Sequence, residues 1–309
     1  MRDGAALIGI DWGTSSFRAY RIAGNAAVLE TRTAPAGMLQ IEDGAFEVVL
    51  EREIGSWLAA DGPEVPVIAS GMITSRQGWV EVPYCACPAG GAELAAGLRR
   101  HLTGAGRALH LVPGLSLIDA AGVPDVIRGE ETQILGELEN ERGRRAFVLP
   151  GTHSKWAFAE AGRIVWFATF MTGEVFAVLR AHSILGRLMA GEAADDAAFA
   201  RGLAYGRDGP GGLLRRLFSA RTLGLFDRLP ATGIASYLSG LLIGSEVAEA
   251  RRCLPEVPGA AGITVIGGSE LAERYRQAIE AAGLQVRTGR PEASARGQLL
   301  IARAAGLVP

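Results

Sequence analysis

A chain of 309 residues with 49% hydrophobic and 21% charged residues has the composition of a folded globular protein, long enough for one large core or two smaller ones. Lys and Arg number 31 against 33 Asp and Glu, so the net charge of -2 supplies no global cationic field for nucleic acid or an anionic membrane, and no apolar stretch reaches the ~18 residues of a membrane span. Glycine is the departure, with 42 residues in neither a collagen period nor a low-complexity tract, which points to tight turns and close backbone approaches.

In chain order, Leu7 to Asp11 is a short apolar run, rich in β-branched residues, that ends in a carboxylate. Trp12 to Ser16 is turn chemistry, and Phe17 to Ile22 alternates apolar and polar residues with the period of a strand. The glycine turn therefore leads into a strand, unlike the P-loop and the dinucleotide fingerprint, which place a helix N-terminus after their glycines. A third strand at Ala26 to Thr33, a helix at Phe46 to Ala59, a strand at Val65 to Ala69, a helix at Ala92 to His101 and a strand at Ala108 to Val112 follow. Cys85, Cys87 and Cys253 are odd in number and lack disulfide or zinc spacing, so free thiols in a reducing compartment are expected. With only Met1 to Ala6 ahead of the first strand, no leader is expected either, and the location reads as cytoplasmic.

A helix from Glu130 to about Asn140 leads into a second half with the same order. Ala146 to Leu149 is a strand, Pro150 to Ser154 a turn, and Lys155 to Ala159 and Arg163 to Thr169 two further strands. Gly13 to Tyr20 laid over Gly151 to Phe158 shares Gly, Thr, Ser and Ala, each segment closed by an aromatic residue, which predicts an internal duplication with an offset of 138 residues. Glu174 to Cys253 reads as inserted helices with a break at Gly206 to Gly212. Ile263 to Ile266 is a strand, Glu270 to Ala282 a helix that Ser269 is placed to cap, Leu284 to Arg287 a strand and Glu292 to Ala305 a last helix. The expected fold is α/β, with βββαβαβα occurring twice.

One Gly-Thr turn per half suits a nucleoside triphosphate whose outer phosphates both hairpins clasp. Gly13 and Gly151 permit close backbone approach, and Thr14, Ser15, Thr152 and Ser154 offer hydroxyl donors. Asp11 stands where a hydrated magnesium ion between the phosphates needs a carboxylate. The turn Gly267, Gly268, Ser269, at a helix N-terminus, fits a ribose or α-phosphate contact. His153 suits either a phosphate or its own turn, whereas His101, His110 and His182 lack metal-ligand spacing.

Ile10 to Arg18 (IDWGTSSFR), Gly71 to Trp79 (GMITSRQGW), Pro83-Tyr84, Arg128 to Gln133 (RGEETQ), Pro150 to Trp156 (PGTHSKW) and Met171 to Glu174 (MTGE) together resemble the 2-dehydro-3-deoxygalactonokinase family over nearly the whole chain. That family belongs to the actin, sugar kinase and Hsp70 superfamily. The resemblance implies two RNase H-like halves with an interdomain nucleotide cleft. Residues 1–128, completed by 292–309, would serve substrate and phosphate, and residues 129–291 the nucleotide. The implied reaction moves the γ-phosphate of ATP, with Mg2+, to the 6-hydroxyl of 2-dehydro-3-deoxy-D-galactonate in galactonate breakdown.

In the wider superfamily a Gly-Asp pair opens the linking helix and its Asp accepts the proton of the attacking hydroxyl. Gly129-Glu130 stands at that place, with Glu131 beside it as the other candidate. Helix neighbours diverge by about 100°, so the two cannot share one role. An anionic sugar acid needs local cations in a near-neutral chain, and Arg76, Arg128 and Lys155 are the candidates, Lys155 lying on the strand face opposite Trp156. Ser70, Gln77, Trp79 and Tyr84 suit hydrogen bonds or stacking on the sugar, and Met72 completes the set. The expected partner is a small-molecule sugar acid, with no nucleic acid and no membrane; oligomeric state is left open.

Other classes fit less well. No G-x-S-x-G elbow supports a serine hydrolase, and six residues ahead of the first strand leave no room for the helix-turn-helix of a sugar-responsive repressor. The remaining alternatives are a kinase of another sugar or 2-keto-3-deoxy sugar acid, and an actin- or Hsp70-like ATPase module without a small acceptor, which leaves Gly71 to Tyr84 unexplained.

Overall fold

The computed structural model describes residues 4–138, 143–191, 193–254, 262–268 and 270–309. The chain divides into two compact units, one of Met1–Arg144, Ala159–Phe167 and Gly289–Pro309, the other of Arg145–Phe158 and Ala168–Thr288. The division thus falls after residue 144, where the sequence reading puts it after 128.

The first unit opens with the antiparallel meander β1 (Leu7–Trp12), β2 (Phe17–Ile22) and β3 (Val28–Ala34). Helix α1 (Phe46–Asp61) and strand β4 (Val67–Ser70) follow, then β5 (Cys85–Ala86), α2 (Gly91–Ala96), β6 (Arg99–Leu102), β7 (Ala108–Leu111), β8 (Leu115–Ile118), β9 (Pro124–Ile127) and α3 (Glu130–Glu137). The main sheet has the order β3-β2-β1-β4-β7-β6, with β4 parallel to β1 and β7 parallel to β4. Strand β1 is buried on both faces, and its period of two sorts its side chains. Ile8, Ile10 and Trp12 join the core against α1, while Gly9 and Asp11 face the last helix.

Two expectations change here. The helix expected over Ala92 to His101 stops at Ala96, and Arg99 to Leu102 is an edge strand antiparallel to β7. Gly97 ends the helix against Pro113 and Cys85, leaving no space for a Cβ. Strands β5, β8 and β9 form a small third sheet that the sequence reading lacks.

The second unit is built on β10 (Arg145–Leu149), β11 (Ser154–Glu160) and β12 (Arg163–Phe170), although residues 159–167 group with the first unit. Then come α4 (Thr172–His182), α5 (Asp196–Asp208), α6 (Leu213–Leu217), α7 (Ser219–Leu225), α8 (Ile234–Cys253), β13 (Ile263–Val265), α9 (Glu270–Ala281) and β14 (Val286–Thr288). The last helix, α10 (Ala293–Ala304), belongs to the first unit. The sheet order β12-β11-β10-β13-β14 repeats β3-β2-β1-β4-β7, so the fold is two RNase H-like halves. The expected end of the linking helix near Asn140 and the cap at Ser269 lie outside the described residues.

Part of the glycine excess goes into helix crossings. A Cβ on Gly297 of α10 would lie 1.8 Å from the Thr132 carbonyl oxygen, and one on Gly136 of α3 would lie 1.9 Å from that of Ala293. Helices α5 and α8 meet in the same way at Gly202, Gly206, Gly240 and Gly244. Backbone touches backbone at each crossing, as only small residues allow.

Candidate active site

In the first unit, the turn from Gly13 to Ser16 closes with the Gly13 N–H donating to the Ser16 carbonyl at 2.9 Å. It is braced from below: Met38 and Leu39 donate backbone N–H bonds to the carbonyls of Gly13 and Thr14, and a Cβ on Gly37 would sit 2.3 Å from the Ser15 carbonyl carbon. Trp12, clamped by an indole bond to the Ala36 carbonyl at 2.8 Å and set edge-on to Phe17, anchors the strand end. Gly13 thus has a fixed backbone, and Thr14 and Ser15 are exposed on the turn.

Asp11 lies beside that turn. Its Oδ2 accepts from the Ser294 hydroxyl at 2.9 Å, and Arg18 is its cross-strand partner on β2. Burial pushes the Asp11 carboxyl up, Ser294 and Arg18 pull it back, and the charge of Glu130 raises it further. Glu130 is close because the backbones interlock. Gly71 and Gly129 both have left-handed φ values, 94° and 104°. A Cβ on Gly129 would lie 3.1 Å from the Gly71 Cα, and one on Gly71 would lie 3.3 Å from Asp11 Oδ1. The ends of β1 and β4 and the start of α3 therefore bring two carboxylates to one place.

The two acids at the start of α3 differ. Half-buried Glu130 accepts the Arg128 N–H at 2.8 Å. Glu131 is fully buried and accepts the Gly129 N–H at 2.7 Å and the Thr132 hydroxyl at 3.0 Å. Burial, then the neighbouring charge of Glu130, push its carboxyl up to about 8.

In the second unit, the turn after β10 opens on a cavity of about 600 Å³. Gly151 and Thr152 line it together with Thr172, Phe176 and Arg180 of α4 and Arg274 and Tyr275 of α9. This turn has the same support as the first. Gly37 follows the end of β3 by three residues, Gly173 follows the end of β12 by three, and a Cβ on Gly173 would lie 2.5 Å from the Gly151 carbonyl oxygen. Apolar walls with a few convergent donors suit a nucleoside and its phosphates.

The model of the 2-keto-3-deoxy-galactonokinase family matches residues 11–301. The chain belongs to that family. A Rhizobium meliloti protein described as a probable 2-dehydro-3-deoxygalactonokinase is 38% identical over 283 residues, 90% of either chain. The 2-dehydro-3-deoxygalactonokinase of Escherichia coli is 34% identical over 282 residues, 91% of this chain and 92% of its own. A Sinorhizobium meliloti crystal structure carrying the family description superposes with a TM-score of 0.86 at 36% identity, covering 96% of this chain and 98% of its own. The chain is a carbohydrate kinase, and its kinase chemistry uses ATP.

Five of the residues expected to touch substrate are engaged within the protein instead. Arg128 is buried, with one amino group on the carbonyl and hydroxyl of Thr74 at 2.6 Å each, the other on the Val82 carbonyl at 3.0 Å, and its plane over the Tyr84 ring. It ties the segment from Thr74 to Tyr84 together. Ser70 is 1% exposed and accepts from Gln298 at 3.0 Å. Trp79 stacks on Phe46 at 5.7 Å and packs on the core. Lys155 is buried and donates to the His153 carbonyl at 3.0 Å, bracing the second turn. Met72 also packs against the core, whereas Arg76, Gln77 and Tyr84 are exposed.

Among the nucleotide candidates, Ser154 is corrected too. It is fully buried and its hydroxyl is taken up by Glu246 at 2.7 Å. Gly267 and Gly268 lead from β13 towards α9, and Ser269 lies outside the described residues. His153 bonds to Glu174, a role within its own turn and the start of α4. Sequence reasoning missed Arg18, which the strand alternation of β2 signals. It also missed Ser294 and Gln298, spaced one helical turn apart on α10, whose roles depend on a strand nearly the whole chain away.

Proposed function

We propose that this kinase transfers the γ-phosphate of ATP to the 6-hydroxyl of 2-dehydro-3-deoxy-D-galactonate, the substrate class for which its curated relatives are named. The observation that carries the reading is the juxtaposition of Asp11 and Glu130 through Gly71 and Gly129, within a near-full-length family match. Glu130 is the general base, because Glu131 is buried and its raised pKa keeps it mostly protonated at neutral pH. Phosphoryl transfer asks only a modest base, since positioning and charge stabilisation dominate.

The donor set of the first unit fits magnesium. Among the described residues no cluster of three or more His, Cys, Asp or Glu forms a metal cage, and Mg2+ needs only one or two carboxylates, its other positions going to water and phosphate oxygens. Asp11 would hold it, and Ser294 fixes the carboxylate oxygen that is turned away. When bound, the ion would neutralise phosphate charge. Arg18, beside Asp11, adds cationic charge where the transferred group becomes most anionic. Within the first unit the exposed turn donors of Thr14 and Ser15 suit phosphate, and within the second unit the cavity suits a nucleoside. Arg76, Gln77 and Tyr84, left exposed by the packing, are the remaining candidates for the sugar acid. A cytoplasmic location follows from the same reading, since ATP is the co-substrate and all three cysteines are free.

The test is ADP release with ATP and magnesium across a panel of sugars and sugar acids. Turnover restricted to 2-keto-3-deoxy acids, greatest with the galactonate-derived epimer, is the expected result. Turnover without an acceptor, or preference for a neutral sugar, overturns the assignment.

A further inference from the structure

Glu246 is a buried carboxylate that the phosphoryl-transfer chemistry does not use. It sits in α8 at 3% exposure, and its partners are neutral donors from three other elements. Oε1 accepts from Ser154 Oγ and Trp156 Nε1 of β11, both at 2.7 Å, and Oε2 accepts from the Tyr275 hydroxyl of α9 at 2.6 Å. The Thr172 side chain, at the start of α4, hydrogen-bonds to it as well. Removing a carboxylate from water costs several kcal/mol, and a hydrophobic residue would fill the same space without that cost. A carboxylate instead offers about four acceptor sites and no donor, so it can hold four hydroxyl and indole groups at once.

What those four groups do is visible in the cavity. Thr172 and Tyr275 line it, and Ser154 directly follows the turn whose Gly151 and Thr152 form its rim. Glu246 thus ties together the strand after the turn, the start of α4 and the inner face of α9. We propose that Glu246 is a positioning residue for the nucleotide, holding the phosphate turn and the Thr172 and Tyr275 walls in register before the nucleotide enters. The proposal rests on the reading of this cavity as the nucleoside site. A preformed site spares binding the cost of ordering its walls, so the effect belongs in nucleotide affinity.

The experiment compares wild type with Glu246→Gln and Tyr275→Phe. It reads ADP affinity by calorimetry, KM for ATP, KM for the sugar acid, kcat and the thermal midpoint. Glu246→Gln keeps the shape but turns a donor into a nest of donors. It should raise the ADP Kd and the KM for ATP about tenfold or more while KM for the sugar acid stays within about twofold. Tyr275→Phe should do the same more weakly, and the double variant should fall short of the product of the two. A lowered thermal midpoint with nucleotide constants within about twofold of wild type assigns Glu246 a packing role and overturns the proposal. If Glu246→Gln does not fold, Tyr275→Phe and Thr172→Val carry the test, and unchanged ADP affinity in both overturns it. Wild type that binds no ADP would instead overturn the nucleoside reading of the cavity.

Discussion

The protonation of Glu131 can be tested without any substrate. Its carboxyl titrates at about 8 in the folded chain, raised from 4.5 chiefly by burial and then by the charge of Glu130. A carboxyl with a raised folded pKa binds a proton in the folded state and not in the unfolded one between those values. Its stabilising contribution is therefore complete below about pH 4.5 and is lost as pH rises through 8. One proton gives a slope of about 1.4 kcal/mol per pH unit, so the full swing is at most about 5 kcal/mol. Glu131→Gln has nothing to titrate and still accepts the Gly129 N–H. Urea unfolding of wild type and variant at pH 5, 6, 7 and 8 should show the variant gaining on wild type by on the order of 1 kcal/mol per pH unit. Taking the difference between the two proteins cancels Asp11 and Glu246, whose carboxyls burial also raises. A difference independent of pH would mean that Glu131 is ionised in the folded protein, and it would return as a candidate base.

Three further outcomes are expected. Glu130→Ala should keep ADP binding by calorimetry and lower kcat by roughly 10² or more, and turnover within a few-fold of wild type would remove Glu130 as the base. Gly297→Ala, which places a Cβ 1.8 Å from the Thr132 carbonyl oxygen, should separate α10 from α3 at a cost of about 1–3 kcal/mol in chemical unfolding, and wild-type stability would refute the close crossing. Arg128→Lys should lower the thermal midpoint, because a single ammonium cannot serve Thr74 and Val82 while stacking on Tyr84, and should leave KM for the sugar acid within about threefold. A large rise in KM at unchanged stability would return Arg128 to the substrate.

Elements whose pattern is local were legible. The apolar run from Leu7 to Asp11 and the alternation from Phe17 to Ile22 flank a glycine turn, and the structure places β1 and β2 within a residue of those bounds. Arg99 to Leu102 has no such alternation and directly follows helix-forming residues, so only its pairing with β7 makes it a strand. The chemistry of the site was legible as residue types but not as directions. Ser70, Arg128 and Lys155 carry the polar groups a sugar acid needs. Their partners, however, are Gln298, the Thr74 and Val82 carbonyls and the His153 carbonyl, and no sequence pattern announces those contacts. Glu246 was silent for the same reason: a lone acid in a helix is ordinarily a solvated one.

The duplication shows which parts of the site each half retains. Both halves keep the strand-turn-strand with its Gly-Thr turn, and both keep a glycine three residues after the third strand, packed so tightly against the turn that no side chain fits. That shared part is backbone geometry, which suits contact with phosphate wherever the phosphate lies. The halves differ at the strand end. Where β1 carries Asp11, two residues before its turn glycine, β10 carries Leu149, buried at 6% exposure. They differ again within the turn. Ser16 is exposed, whereas its counterpart Ser154 is turned inward to Glu246. The two residues proposed as metal ligand and general base, Asp11 and Glu130, therefore both belong to the first half. In the second half the corresponding positions are apolar or drawn inward, and what remains there is a turn fixed in place beside a cavity, with Leu149 at the strand end where the first half has a carboxylate.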